Sequence, residues 1–273
     1  MLFRSNDTAT TEIYTLSLHD ALPICEGYAA VRGFDGRGSA ERAIQILAAA
    51  GIPTGVNMVL TSASLPRLNA SCERFADLGA REVQLLRYKP AGRAAEPESG
   101  YADRCLSPAQ VDELWPALTR IVARGRLRVR IDCAMVPLLS SALLASVPDA
   151  PRALAELGVF GCEAARHLGA LRADGSVAAC SLFSVSGSAA PVALRRRPQD
   201  TGAPPLSAAW DEDAELTAFR AYHAAPPEPC RSCALFSVCR GGCQVVSRHA
   251  HGGAFAPDPE CPRVRAALRA SGG

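Results

Sequence analysis

Seven of the chain's eleven cysteines fall between Cys162 and Cys261, in the order Cys162, Cys180, Cys230, Cys233, Cys239, Cys243 and Cys261. As spacings they run C-x12-G-x4-C, with Gly175 as the glycine, then a gap, C-x2-C-x5-C-x3-C, a second gap and a last cysteine. A segment with so many thiols at short intervals is organised by metal or by disulfides. That choice constrains what the rest of the chain can be.

Composition favours metal. With 273 residues and 48% hydrophobic residues, the chain has apolar material for one large domain or two ordinary ones. It does not depend on disulfides to replace a core. The cysteine count is odd, and no charged segment followed by an apolar one marks a secretory signal, so a reducing, cytoplasmic setting is expected. No run approaches the 18 or so apolar residues of a membrane span. A net charge of +2 argues neither for a nucleic-acid surface nor for an acidic tail, and nearly all the basic charge is arginine, since Lys89 is the only lysine.

The first 24 residues differ in kind from the rest. Asn6 to Ile24, NDTATTEIYTLSLHDALPI, resembles the in-frame translation of a common sequencing adapter, and Leu2 to Ser5 resembles the tail of the same adapter in another frame. Residues 1–24 are therefore expected to be an artefact without a fold, and His19, Asp20 and Tyr14 are excluded from any site. On this reading native sequence begins near Cys25, and whatever preceded it in the gene is missing.

From Ser39 helix and strand patterns alternate. Ser39 reads as an N-cap, with Ala43, Ile44 and Leu47 on one face and Gly51 closing the helix. Residues 52–61 have the length and apolarity of a buried strand. Leu65, Leu68, Cys72, Phe75 and Leu78 recur at helical spacing before Gly79, and residues 82–88 alternate as a strand. Ser107-Pro108-Ala109-Gln110 spells a capping box with proline at N1. The helix it opens should be kinked or shortened by Pro116, and residues 127–132 read as a third strand. Repeated helix–strand units with short loops predict a parallel α/β architecture, too small here to close a barrel. Residues 138–160 read as helical connection, Ala173-Asp174-Gly175 as a tight turn between short strands, and residues 186–209 as a surface loop. Beyond Cys230 periodicity disappears, so bound metal would have to order that segment.

Thiolates two or three residues apart can grip one centre from a single loop, while a distant cysteine closes the shell. Zinc and iron–sulfur cubanes each take four ligands; seven cysteines exceed one such site and nearly fill two.

The full pattern, from Cys162 through Gly175 to Cys261, resembles the SPASM domain, the C-terminal extension of many radical S-adenosylmethionine (radical SAM) enzymes. The ADG turn before Cys180, Trp210, Phe219-Arg220, CRGGC and PDPECP are similar too. Upstream, Arg32-Gly33 leading into a helix and YKPAG after a strand look like the second half of the family's partial (β/α)6 barrel. The resemblance implies a partial barrel over residues 25–137, a connector over 138–161 and an auxiliary-cluster domain over 162–273.

It also implies two auxiliary [4Fe–4S] clusters with interleaved ligands. Cys162, Cys180 and Cys243 would hold the first, and Cys230, Cys233, Cys239 and Cys261 the second. The first cluster is then one protein ligand short. Either Cys133, at a predicted strand end, reaches back, or an iron stays open to substrate; the open iron is the expectation. The C-x3-C-x2-C loop that would bind a third cluster and S-adenosylmethionine is absent from this sequence. The chain thus resembles the C-terminal portion of an enzyme that, intact, generates a 5′-deoxyadenosyl radical and oxidatively modifies a peptide, protein or cofactor precursor. Ferredoxin or flavodoxin would supply its electrons. The portion alone should not cleave S-adenosylmethionine.

Other residues receive milder readings. Asn57, Arg87 and Lys89 lie at or near strand ends, where β/α barrels place ligands, and are candidates for cofactor or substrate contact. Cys72 reads as core, Cys105 as an uninvolved loop thiol, and His167, His223, His249 and His251 as surface histidines. Arg195 to Arg197 read as a solvated face. Two rival functions remain: a zinc-binding interaction module, which leaves Cys162 and Cys180 idle, and an iron–sulfur electron carrier without a radical SAM half.

Overall fold

A computed structural model describes residues 35–172, 177–183 and 206–271. The adapter-like segment, Arg32-Gly33, the turn at Ala173 to Gly175 and Arg195 to Arg197 lie outside the described residues. Three parallel strands, β1 (Gly55–Leu60), β2 (Glu82–Arg87) and β3 (Arg128–Ile131), form one sheet in the order β1-β2-β3. Helix α1 (Arg37–Ala49) precedes β1, and α2 (Leu68–Asp77) connects β1 to β2. Between β2 and β3 run the short α3 (Tyr101–Arg104) and the long α4 (Pro108–Arg124). The fold is thus mixed α/β around a small parallel sheet, as the alternating patterns predict.

Register explains what the sheet buries. Val56 pairs with Val83, Met58 with Leu85, and Val83 with Val129, so one face carries a continuous apolar row. Asn57, Gln84 and Arg130 stand in line on the other face. Along β2 the residues in phase with Val83 and Leu85 are buried, and the next in that phase is Arg87. A guanidinium placed there must be paired or pay heavily in desolvation.

Ser107 accepts from the backbone of Gln110 while the Gln110 side chain accepts from Ser107 N, completing the capping box. Gly125 ends α4 in the left-handed region. One local expectation fails and one is narrowed. Helix α1 begins at Arg37 with Gly36 as N-cap, because Asp35 accepts from Arg37 N and starts the turn two residues before Ser39. Pro116 does not shorten α4, which continues to Arg124 with Leu114, Leu118 and Ile121 buried in the core. Packing along that face outweighs the loss of one backbone donor.

Beyond β3, α5 (Ser140–Ser146) and α6 (Ala150–Glu156) make the expected helical connection. Strands β4 (Ala170–Leu171) and β5 (Val177–Ala178) form a two-stranded antiparallel ribbon. Helix α7 (Leu206–Glu212) starts inside the segment read as loop, and α8 (Ala214–Ala224) follows, capped by Asp213. The cysteine-rich tail holds three helices that periodicity did not reveal: α9 (Phe236–Cys239), α10 (Gln244–Ala250) and α11 (Pro262–Ser271). Two of them are a turn or two long, too short to display a 3.6-residue repeat.

Two apolar clusters result. The larger joins the sheet and its helices to Leu235, Val238 and Cys239 from the tail. The smaller gathers Ala179, Phe183, Leu216 and Phe219 around the β4–β5 ribbon and α8. No helix among the described residues is long and apolar enough to cross a membrane.

Candidate metal centre

All ten described cysteines are free thiols. Eight of them line two separate cavities, four to each.

Cys230, Cys233, Cys239 and Cys261 surround one cavity together with Asp258. The loop that carries the first three is tightened by Cys230 N donating to Pro227 O, Cys233 N to Cys230 O, and Cys239 N to Leu235 O. Cys261 opens onto α11, and its Sγ lies 3.2 Å from the buried Ser140 hydroxyl. Burial pushes the Cys230 thiol up to about 12, and the neighbouring Cys261 and Cys233 add to the effect. Cys239 is raised by burial and then by Cys261, among others.

Cys162, Cys180 and Cys243 line the other cavity, and Cys133 and Lys89 line it with them. Cys162 follows Gly161, whose N–H donates to Val238 O, and Cys180 stands two residues past β5. Burial pushes Cys162 up to about 12, with Cys243, Cys133 and Cys180 contributing as neighbouring charges. Cys243 is raised by burial, partly opposed by the positive charge of Arg87.

Cys239 and Cys243 are four residues apart yet serve different cavities. The chain between them reverses through Arg240, Gly241 and Gly242, all at positive φ. At Gly242 the missing side chain is also what admits Asp258, because a Cβ there would collide with the aspartate. Asp258 Oδ2 accepts from Cys243 N at 2.9 Å, and Oδ1 from Glu260 N at 3.1 Å.

The strand-end candidates divide. Arg87 is 4% exposed and gives Nη1 and Nη2 to Asp258 at 2.6 and 2.9 Å, a further bond to the Ala134 carbonyl, and an ion pair to Glu260 at 3.0 Å. Burial works against its charge, but Asp258 and then Glu260 hold its pKa above the ordinary value. Its guanidinium is thereby engaged within the protein. Lys89 lines the cavity of Cys162, Cys180 and Cys243 and pairs with Asp132 at 2.6 Å, which outweighs burial and raises its pKa. Asn57 is buried within β1 and lines neither cavity.

Among residues read as uninvolved, Cys72 is in the core and Cys105 stands before the capping box, as expected. His223 differs. It is half-buried beside Phe219 and Tyr222, and burial, with Arg166 and Arg240, lowers its pKa to about 4. Its place on α8 with the aromatic residues was the available signal. Asp258 and Glu260 were missed as well, because charged residues in a Pro-rich tail give no sign of their distant partners.

Among the described residues, no three His, Cys, Asp or Glu side chains converge as ligands of a single metal ion would.

No family model matches the sequence, and no curated protein is similar to it. The fold does have counterparts. The crystal structure of Streptococcus suis SuiB bound to the precursor peptide SuiA aligns with a TM-score of 0.57 at 15% identity, over 84% of this chain and 49% of SuiB. SuiB bound to S-adenosylmethionine aligns at 0.54 and 14% identity, over 82% and 48%. Native anSMEcpe with AdoMet and the Cp18Cys peptide aligns at 0.56 and 19% identity, over 86% and 60%. Both are radical SAM/SPASM enzymes. The chain spans about half the length of the SuiB structures it matches, and what it shares with these radical SAM/SPASM enzymes is their fold.

Proposed function

We propose that this chain binds two auxiliary [4Fe–4S] clusters and is the C-terminal part of a radical SAM/SPASM enzyme. Cys162, Cys180 and Cys243 hold the first cluster; Cys230, Cys233, Cys239 and Cys261 hold the second. The three-stranded sheet with α2 and α4 corresponds to the second half of the partial barrel. What supports the reading most is the interleaving: Cys239 and Cys243 turn to different cavities, each with its own distant cysteines. A single zinc module has no use for that arrangement.

The donor sets fit the group. Four-thiolate coordination is the usual cubane shell, and each cavity has the thiols for it. When bound, such clusters relay single electrons. This chain's residues provide the remainder: Lys89 and Arg87 as positive charges near Cys243, and the glycine turn that lets one loop serve both sites. The intact enzyme cleaves S-adenosylmethionine and oxidatively modifies a peptide or protein in the cytoplasm, with a ferredoxin or flavodoxin as reductant. A peptide substrate is in keeping with SuiB and anSMEcpe, both solved with peptides bound. Lacking the C-x3-C-x2-C loop, the chain by itself is inactive on S-adenosylmethionine.

The test is the metal and acid-labile sulfide content of the full chain after anaerobic reconstitution. About eight iron and eight sulfide per chain are expected for two cubanes. Retained zinc with no labile sulfide would overturn the reading in favour of a zinc module.

A further inference from the structure

We propose that Cys133 supplies the fourth protein thiolate of the first site, so that no iron there is left open to substrate. The inference rests on the reading that a [4Fe–4S] cluster occupies that cavity.

Cys133 begins the 3₁₀ turn Cys133–Met135 at the carboxyl end of β3, and lines the cavity of Cys162, Cys180 and Cys243. Both of its neighbours are fastened. Asp132 is held from one side by Lys89 at 2.6 Å, and its N–H donates to Leu85 O. The Ala134 carbonyl accepts from Arg87 at 3.2 Å, and Arg87 is itself locked to Asp258. A backbone pinned at both flanks holds Cys133 at the cavity, so that only its side-chain torsion has to be fixed on binding. The two spare described cysteines, Cys72 and Cys105, line neither thiol cavity.

This makes the two sites equivalent in ligand count, four thiols each, and assigns the first site to electron transfer. A site with an open iron would instead be able to bind substrate directly. It also means that the strand end and the cysteine-rich tail are joined through the cluster as well as through Arg87 and Asp258.

The experiment uses the full chain, with Cys133→Ser and the control Cys105→Ser. Thiols are alkylated before and after reconstitution with iron and sulfide and mapped by mass spectrometry. In the unmutated chain Cys133 should become protected together with Cys162, Cys180 and Cys243. Ferricyanide oxidation should leave the unmutated chain and Cys105→Ser with about eight iron. Cys133→Ser should either lose about one iron and show a three-iron paramagnetic signal, or lose the first cluster and hold about four iron. If Cys133 stays as reactive as before while the other three are protected, the proposal is overturned and the two-cluster reading stands. The proposal falls in the same way if the unmutated chain yields the three-iron signal as readily as Cys133→Ser. If no cysteine is protected, both fall together.

Discussion

Arg87, the last residue of β2, donates two hydrogen bonds to Asp258, 171 positions away in the cysteine-rich tail, and both side chains are almost fully buried. The same carboxylate receives the N–H of Cys243, so one aspartate ties the sheet to the loop that serves both thiol cavities.

Arg87→Met should therefore destabilise the chain by about 3–5 kcal/mol, the usual cost of leaving one buried charge without its partner. Asp258→Leu should cost at least as much, since Cys243 N and Glu260 N lose their acceptor too. The double substitution should recover part of the loss. Urea unfolding of the four proteins measures the coupling; strictly additive losses would show that the pair is not interacting.

Gly242→Ala should be more damaging than Gly253→Ala. Both glycines have positive φ, a conformation that costs a residue with a Cβ about 1–2 kcal/mol. Only at Gly242 does the added carbon meet Asp258, whereas Gly253 has nothing within 4 Å. The two unfolding midpoints, compared with iron content after reconstitution, check this. Equal effects would remove Asp258 from the account.

Cys239→Ser should cost one site and not the other, lowering iron from about eight to about four per chain. Cys72→Ala, a core change away from both cavities, should leave iron content unaltered while lowering stability by about 1 kcal/mol. Iron analysis beside the unfolding curve separates the two.

His223 should remain neutral in the folded chain until pH falls to about 4. Its folded pKa is depressed below the ordinary 6.5, so the stability it contributes is present above that value. That contribution is lost as pH falls from 6.5 toward about 4, where the unfolded chain binds the proton and the folded chain does not. An imidazole resonance that titrates only near the lower limit, and vanishes in His223→Phe, is the expected signature. A midpoint near 6.5 would mean that the ring is solvated.

Much of the scaffold was legible because its signals are local. The capping box at Ser107 and the left-handed glycines after α2 and α4 act within one turn, and the Val83–Leu85 alternation reports burial on one strand. The start of α1 was misplaced because Asp35 competes with Ser39 as the initiating side chain. Helices α9 and α10 were missed because helices of one or two turns held by tertiary contacts carry no period of their own.

By itself, the sequence determined the chemistry available: seven thiols at ligand spacing, more than one four-ligand centre needs and nearly enough for two. It also placed Cys133 at a strand end, where it could belong to a site or to none. Only the tertiary structure decided that the thiols divide four and four, that Arg87 serves Asp258, and that Cys133 faces the first cavity. The reason is physical. Local patterns record the conformation and burial of a residue, whereas a ligand set or a buried ion pair is completed by groups far away in the chain. Their meeting depends on how the sheet and the tail pack.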